Sequence, residues 1–206
     1  MTKKLILMLL LVLTLTGCKR PIIKEPPEYN NDVFPKEYYQ ILADKKVYLT
    51  SFGQSIDVDD LDFAMRSVDG LEYKRDDYLE VEDISDDAVL IIVVGCSVKG
   101  LLEAGISISE ESLRALAIFN QKENKNLTII SFHIGGPSRR GSTSDGLIEE
   151  IFSKSDFNIF YSEGNFDEKL SLISHNYNVK AFRYDSPNQL LVVLKNLFFG
   201  EEIRWF

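Results

Sequence analysis

Seven consecutive apolar residues, Ala88 to Val94 (AVLIIVV), constrain the fold of this chain most. A short unbroken run rich in β-branched residues is the pattern of a strand buried on both faces. Such strands belong to parallel sheets covered by helices. The flanking sequence alternates accordingly. Further strands are expected at Val47–Ser51, Leu71–Lys74, Leu127–His133, Phe157–Tyr161 and Val179–Phe182.

Apolar residues recur at helical spacing between these strands. A helix is expected over Ser55–Val68, with Ile56, Leu61, Ala64, Met65 and Val68 facing the sheet. Ser109 is expected to cap the next helix, with Glu110 and Glu111 suiting its positive end. Leu113, Leu116 and Ala117 would form its buried side. Leu147, Ile148, Ile151 and Phe152 mark a third helix, and Phe166, Leu170 and Ile173 a fourth. A last helix starts at Pro187, a residue suited to a first turn, with Leu190, Leu194, Leu197 and Phe198 inward. The stretch from Asp76 to Asp87 has room for only one or two helical turns.

Strands joined by single helices imply right-handed βαβ units. The expected architecture is a single α/β domain. It has an open, doubly wound parallel sheet of five to six strands, flavodoxin-like or Rossmann-like. The expected strand order is 2-1-3-4-5, with a sixth strand added at the edge.

The N-terminus carries a different signal. Lys3 and Lys4 precede an apolar core from Leu5 to Leu15, and Leu15-Thr16-Gly17-Cys18 closes it. The core falls short of the roughly 20 residues that span a bilayer as a helix. This layout resembles a bacterial lipoprotein signal with its lipobox, in which the cysteine is lipidated and begins the mature chain. Residues 1–17 are then a signal peptide and 18–45 a lipidated N-terminus and spacer, with residues 46–206 the α/β domain. The spacer holds Pro21, Pro26, Pro27 and Pro35, which suit an extended segment. Tyr38, Tyr39, Ile41 and Leu42 are expected to form a short helix at the domain edge. The expected location is the cell membrane, lipid-anchored through Cys18 and facing outside the cytoplasm.

Charge and cysteine content narrow the function. The chain has 32 acidic against 23 basic side chains, a formal charge of −9, and the leader takes two of the lysines away. Nucleic-acid affinity rests on basic contacts to phosphate, so no nucleic-acid partner is expected. With Cys18 lipidated, Cys96 is alone and no disulfide can form within a monomer. Cys96 reads as a small filler residue after an apolar strand rather than a reactive thiol.

In open α/β sheets, ligands bind beyond the carboxyl ends of the strands, where the strand order reverses. The loops expected there are rich in small, hydroxyl and amide residues. The first holds Ser51, Gly53, Gln54 and Ser55, and the second Ser97, Lys99 and Gly100. The third holds His133, Gly135, Gly136, Arg139 and Arg140. Glycines let backbone amides approach a ligand, and arginines can neutralise a carboxylate or phosphate. These residues are candidate ligand-binding positions. The competing reading is that Gly and Ser merely suit turns and that the arginines are solvated.

No catalytic or cofactor motif is complete. Dinucleotide-binding and phosphate-binding glycine loops are lacking, and Gly95-Cys96-Ser97 is not followed by the glycine of a nucleophile elbow. No cofactor is expected. His133 could serve a triad with Ser97 or Ser55 and Asp145, although a histidine hydrogen-bonded to a neighbouring loop is the simpler reading. His175 reads as an exposed helix end. Asp57, Asp59, Asp60 and Asp62 crowd one helix start without the spacing of a calcium loop, and no metal is expected.

Several motifs together carry a family resemblance. They are Thr50-Ser51-Phe52-Gly53-Gln54-Ser55, Val93-Val94-Gly95 with Ser97 and Lys99-Gly100-Leu101, His133-Ile134-Gly135-Gly136, Arg139-Arg140-Gly141 and Ser144-Asp145. Across residues 46–183 the chain resembles a family of exported bacterial proteins known only as a domain of unknown function. Cys96 stands where a smaller residue such as alanine is expected. The resemblance implies an α/β domain and supplies no catalytic assignment.

Binding is favoured over catalysis. The leading expectation is a membrane-tethered extracytoplasmic domain that takes a small anionic or polar ligand. One alternative is a hydrolase with His133 as general base. Another is an envelope interaction protein, with Phe199, Trp205 and Phe206 as the seed of its surface. No protein partner is identified by any motif.

Overall fold

The computed structural model describes residues 42–200. The leader, the lipobox with Cys18, most of the spacer, and Trp205 and Phe206 lie outside the described residues. Of the expected short helix at the domain edge, only Leu42 is described, and it is buried.

Six strands form one fully parallel sheet: β1 (Lys46–Phe52), β2 (Lys74–Arg75), β3 (Ala88–Val94), β4 (Thr128–His133), β5 (Phe157–Tyr161) and β6 (Lys180–Tyr184). Their order is β2-β1-β3-β4-β5-β6. The expected doubly wound α/β sheet is therefore present, with the sixth strand at the edge. β3 matches its apolar run end to end and is buried throughout. It pairs with β1 from Lys46↔Ala88 to Phe52↔Val94 and is one of the two central strands of the sheet.

Among the described residues the helices are α1 (Asp57–Arg66), α2 (Val98–Ala104), α3 (Ile108–Gln121), α4 (Ser142–Phe152), α5 (Lys169–Asn176) and α6 (Pro187–Phe199). Among the described residues, α1 and α6 cover one face of the sheet. Leu61 and Met65 of α1 and Leu194 and Leu197 of α6 join Leu49, Ile91, Val93, Ile130 and Phe132 there. The other face carries α3, α4 and α5, together with Leu79, Val81 and Ile84 of the β2–β3 connection. That connection contains a single 3-10 turn, Val81–Asp83. The helix layer therefore switches faces between β1 and β3. No described helix is long and apolar enough to cross a membrane.

Four local expectations are corrected. β2 is only Lys74–Arg75, because it sits at the edge and meets β1 through Tyr48↔Lys74 and Leu49↔Arg75 alone. α1 begins at Asp57 rather than Ser55, which leaves Ile56 exposed instead of facing the sheet. Phe166 precedes α5 and is exposed, while Leu170 and Ile173 are buried as expected.

The fourth correction concerns α3, which is capped by Ser107, not Ser109. The Ser107 hydroxyl accepts from the Glu110 N–H, and the Glu110 carboxylate accepts from the Ser107 N–H, a reciprocal capping box. The inward face is Glu111, Arg114, Ala115 and Ile118. Leu113 is 65% exposed and Leu116 also faces water. α2 fills the sequence between β3 and α3, where no helix was expected, with Val98 and Leu102 on its exposed side.

Candidate functional site

The face switch opens a crevice at the carboxyl ends of β1 and β3, where the two outgoing loops lock together. The Gly95 N–H donates to the Phe52 carbonyl (3.1 Å) and the Ser97 N–H to the Gly53 carbonyl (2.8 Å). Gly53 has φ +87°, and a Cβ there would sit 2.5 Å from the Gly95 oxygen. A Cβ on Gly100 would land on the Gln54 carbonyl oxygen. These glycines serve close backbone packing of loop on loop.

Beneath the loops lies an ion pair that sequence reasoning did not find. Glu111 and Arg114 are one helical turn apart on α3, both buried, and 2.9 Å from each other. Glu111 accepts the Gly53 N–H (2.8 Å) and the Gln54 side-chain amide (3.2 Å). Arg114 donates to the Ser51 carbonyl (2.5 Å) and the Leu79 carbonyl (3.1 Å), and its guanidinium lies 3.9 Å from the Phe52 ring centroid. The pair therefore holds the end of β1 by both backbone and side chain. Its only mark in the sequence is the i, i+3 spacing, because its partners lie some sixty residues away.

A cleft of about 550 Å³ opens above this support. Six candidate residues line it: Gln54, Ser55, Ser97, Lys99, Gly100 and Arg139. Ser97 caps α2 by accepting the Gly100 N–H (3.1 Å). Lys99 is 84% exposed and 3.5 Å from Glu103. The Arg139 side chain is 37% exposed and lies 3.1 Å from Asp57 Oδ1. Arg75 also lines the cleft, but it is bound by Asp59 (2.6 Å), Asp62 (3.0 Å) and Asp77 (2.8 Å). The walls thus carry both signs of charge.

The other six candidates are not among the lining residues. Ser51 and Gly53 are buried. The Arg140 side chain is 3% exposed and bridges Asp145 (2.6 Å) and Asp167 (3.1 Å), with a further hydrogen bond to the Gly164 carbonyl. Its guanidinium pulls the Asp145 carboxyl down to a pKa of about 2. Arg140 therefore braces the β4 loop against the β5 loop. Gly135 packs against the Arg139 side chain and Asp57, Gly136 lies near Glu163, and Gly164 packs on Gly135 and His133.

His133 is wholly buried at the end of β4. Its Nδ1 is 2.9 Å from the Val94 carbonyl, so the imidazole bonds a neighbouring strand end. Its Nε2 has no hydrogen-bond partner, hydroxyl groups included. Burial holds its pKa below the ordinary value, which keeps the ring neutral. His175 is exposed on α5. Cys96 is half-buried and free, and burial raises its thiol pKa, which disfavours the reactive thiolate.

The aspartates at the start of α1 divide by partner. Asp57 reaches inward to Arg139, with its Oδ2 unpartnered in the space left by Gly95 and Gly135. Asp59 and Asp62 hold Arg75, and Asp60 is exposed. Among the described residues, no cluster of three or more His, Cys, Asp or Glu could hold a metal ion.

No curated protein and no solved structure significantly matches the chain. Residues 44–198, three-quarters of its length, match the family described as Domain of unknown function (DUF6305), and the chain belongs to that family.

Proposed function

We propose that this protein is a membrane-tethered extracytoplasmic lipoprotein that binds a small polar ligand with an anionic group. The cleft at the ends of β1 and β3 is the site. One observation carries the reading: three separate loops deliver six polar or glycine candidates to the walls of one cleft, with Lys99 and Arg139 both reachable from water. A volume of about 550 Å³ suits a metabolite-sized ligand. The mixed charge of the walls favours a ligand that also carries donors or a positive group, such as an amino acid, over bare phosphate. The lipid anchor is supported by the lipobox pattern ending at Cys18.

The test is a thermal-shift screen of phosphate, simple carboxylates, amino acids and nucleosides, followed by titration of the hits. A ligand at 100 times its Kd raises stability by about 2.7 kcal/mol, a shift readily seen in such a screen. The expected result is a hit whose affinity falls tenfold or more in Arg139→Ala and in Lys99→Ala. Arg140→Ala is not a useful probe, since that side chain braces two loops. Hits indifferent to both variants, or none from these classes, would overturn the reading. The hydrolase alternative gains no support from a buried imidazole with no hydroxyl bonded to it.

A further inference from the structure

We propose a second ligand site, for an organic cation, in the groove between α1 and α6. The face of the sheet that carries only these two described helices leaves a cavity of about 690 Å³ at the carboxyl ends of β4, β5 and β6. That volume lies within the range of about 300–1,000 Å³ typical of small-molecule sites. The first turn of α1 separates it from the cleft above β1 and β3, giving Asp59 to the cleft and Asp60 to the groove.

The walls are aromatic and aliphatic. Tyr161 and Tyr184 stack with ring centroids 5.4 Å apart at 21°. Phe63 of α1 lines the same cavity and is 75% exposed. Ile134, Leu190 and Leu191 complete the apolar lining. A large exposed phenyl ring in one cavity with an aromatic pair is what an apolar or aromatic ligand body would use.

The one charged side chain among the described residues that line the groove is acidic. Asp60 is the ionisable acid on its wall. The Tyr184 hydroxyl is held neutral by burial, and the fields of Tyr161, Asp57 and Asp60 act in the same direction. Glu163 and then Asp185 likewise raise the pKa of Tyr161. Among the described residues, no lysine or arginine lines the cavity. Arg183 alternates to the other face of β6 and is paired with Asp185 at 3.2 Å. The positive end of α6 also opens here, but Pro187 has no N–H, and the capping box of Ser186 and Gln189 takes up the Gln189 donor. Aromatic faces beside the Asp60 carboxylate attract an ammonium group through cation–π and Coulomb terms together. The ligand class is therefore a primary amine or quaternary ammonium on a small apolar body.

The proposal is tested by NMR titration of the folded protein with 2-phenylethylammonium chloride. The neutral 2-phenylethanol and the anionic 3-phenylpropionate serve as matched probes. The expected result is shifts at the amides of Asp60, Phe63, Tyr161 and Leu191, with the cation bound about tenfold more tightly than the alcohol and the anion weakest. Phe63→Ala and Asp60→Asn, both at exposed positions that the fold tolerates, each weaken the cation at least fivefold. The amides of Lys99 and Glu103, which line the cleft, stay unshifted, and this separates the groove from the cleft. Equal binding of cation and alcohol, shifts confined to other surfaces, or insensitivity to both groove variants would overturn the proposal.

Discussion

Gly100 and Gly146 both lie inside helices, α2 and α4, yet alanine should move them in opposite directions. By helix propensity alone, alanine is worth about 1 kcal/mol over glycine. At Gly146 a Cβ meets nothing within 4 Å, so Gly146→Ala should stabilise by about 0.5–1 kcal/mol. At Gly100 the same methyl lands on the Gln54 carbonyl. Relieving that overlap must separate the two locked loops, so Gly100→Ala should destabilise by about 2 kcal/mol. Urea unfolding of the two variants checks this, and a stabilised Gly100→Ala would mean that the loops are not packed as described. Residue identity alone does not reveal such differences. Arg139 and Arg140 are equivalent in the sequence, and only the distant Asp57, Asp145 and Asp167 make the first half-exposed and the second a brace.

Elements were legible where one physical signal dominated. β3 and β5 fall on their expected boundaries, because a short apolar run between turn residues has one natural register. α3 departs from expectation in both its cap and its buried face. Ser107-x-x-Glu110 is a complete capping-box pattern, yet Ser109 beside two glutamates imitates one. The face of α3 is also other than expected: Leu113 and Leu116 meet water while Glu111 and Arg114 lie inside, which hides the support of the crevice. A Leu-rich stripe ordinarily marks the buried side, and here a buried ion pair overrides it. Ser107→Ala should therefore cost about 1 kcal/mol, while Ser109→Ala and Leu113→Lys should each stay within about 0.5 kcal/mol of the wild type. Thermal unfolding of the three variants distinguishes the two caps. A loss at Ser109 equal to that at Ser107 would contradict the cap assignment. α2 was missed because it is only seven residues long, with Leu101 its one buried side chain.

At the scale of the whole molecule, the strand order and the split of helices between faces followed from the alternation of elements, since right-handed crossovers leave few alternatives. The place of the cleft was legible from the reversal of strand order, whereas the α1–α6 groove was not, because it depends on which side chains fail to meet across the chain. The proposed tether also belongs to this scale. Two acyl chains hold a protein stably on a bilayer, and one does so only marginally. Cys18→Ser should therefore move the protein from the membrane fraction to the soluble fraction of fractionated cells without changing the thermal unfolding of the α/β domain. Retention of the variant in the membrane fraction would count against lipidation at Cys18. One further consequence follows from α1. Its first turn gives Asp59 to one cavity and Asp60 to the other, while Asp57 binds Arg139 on one side and acts on Tyr184 on the other. Two occupants seated on one short helix would be thermodynamically linked. Whatever factor the first changes in the affinity of the second, the second must return to the first.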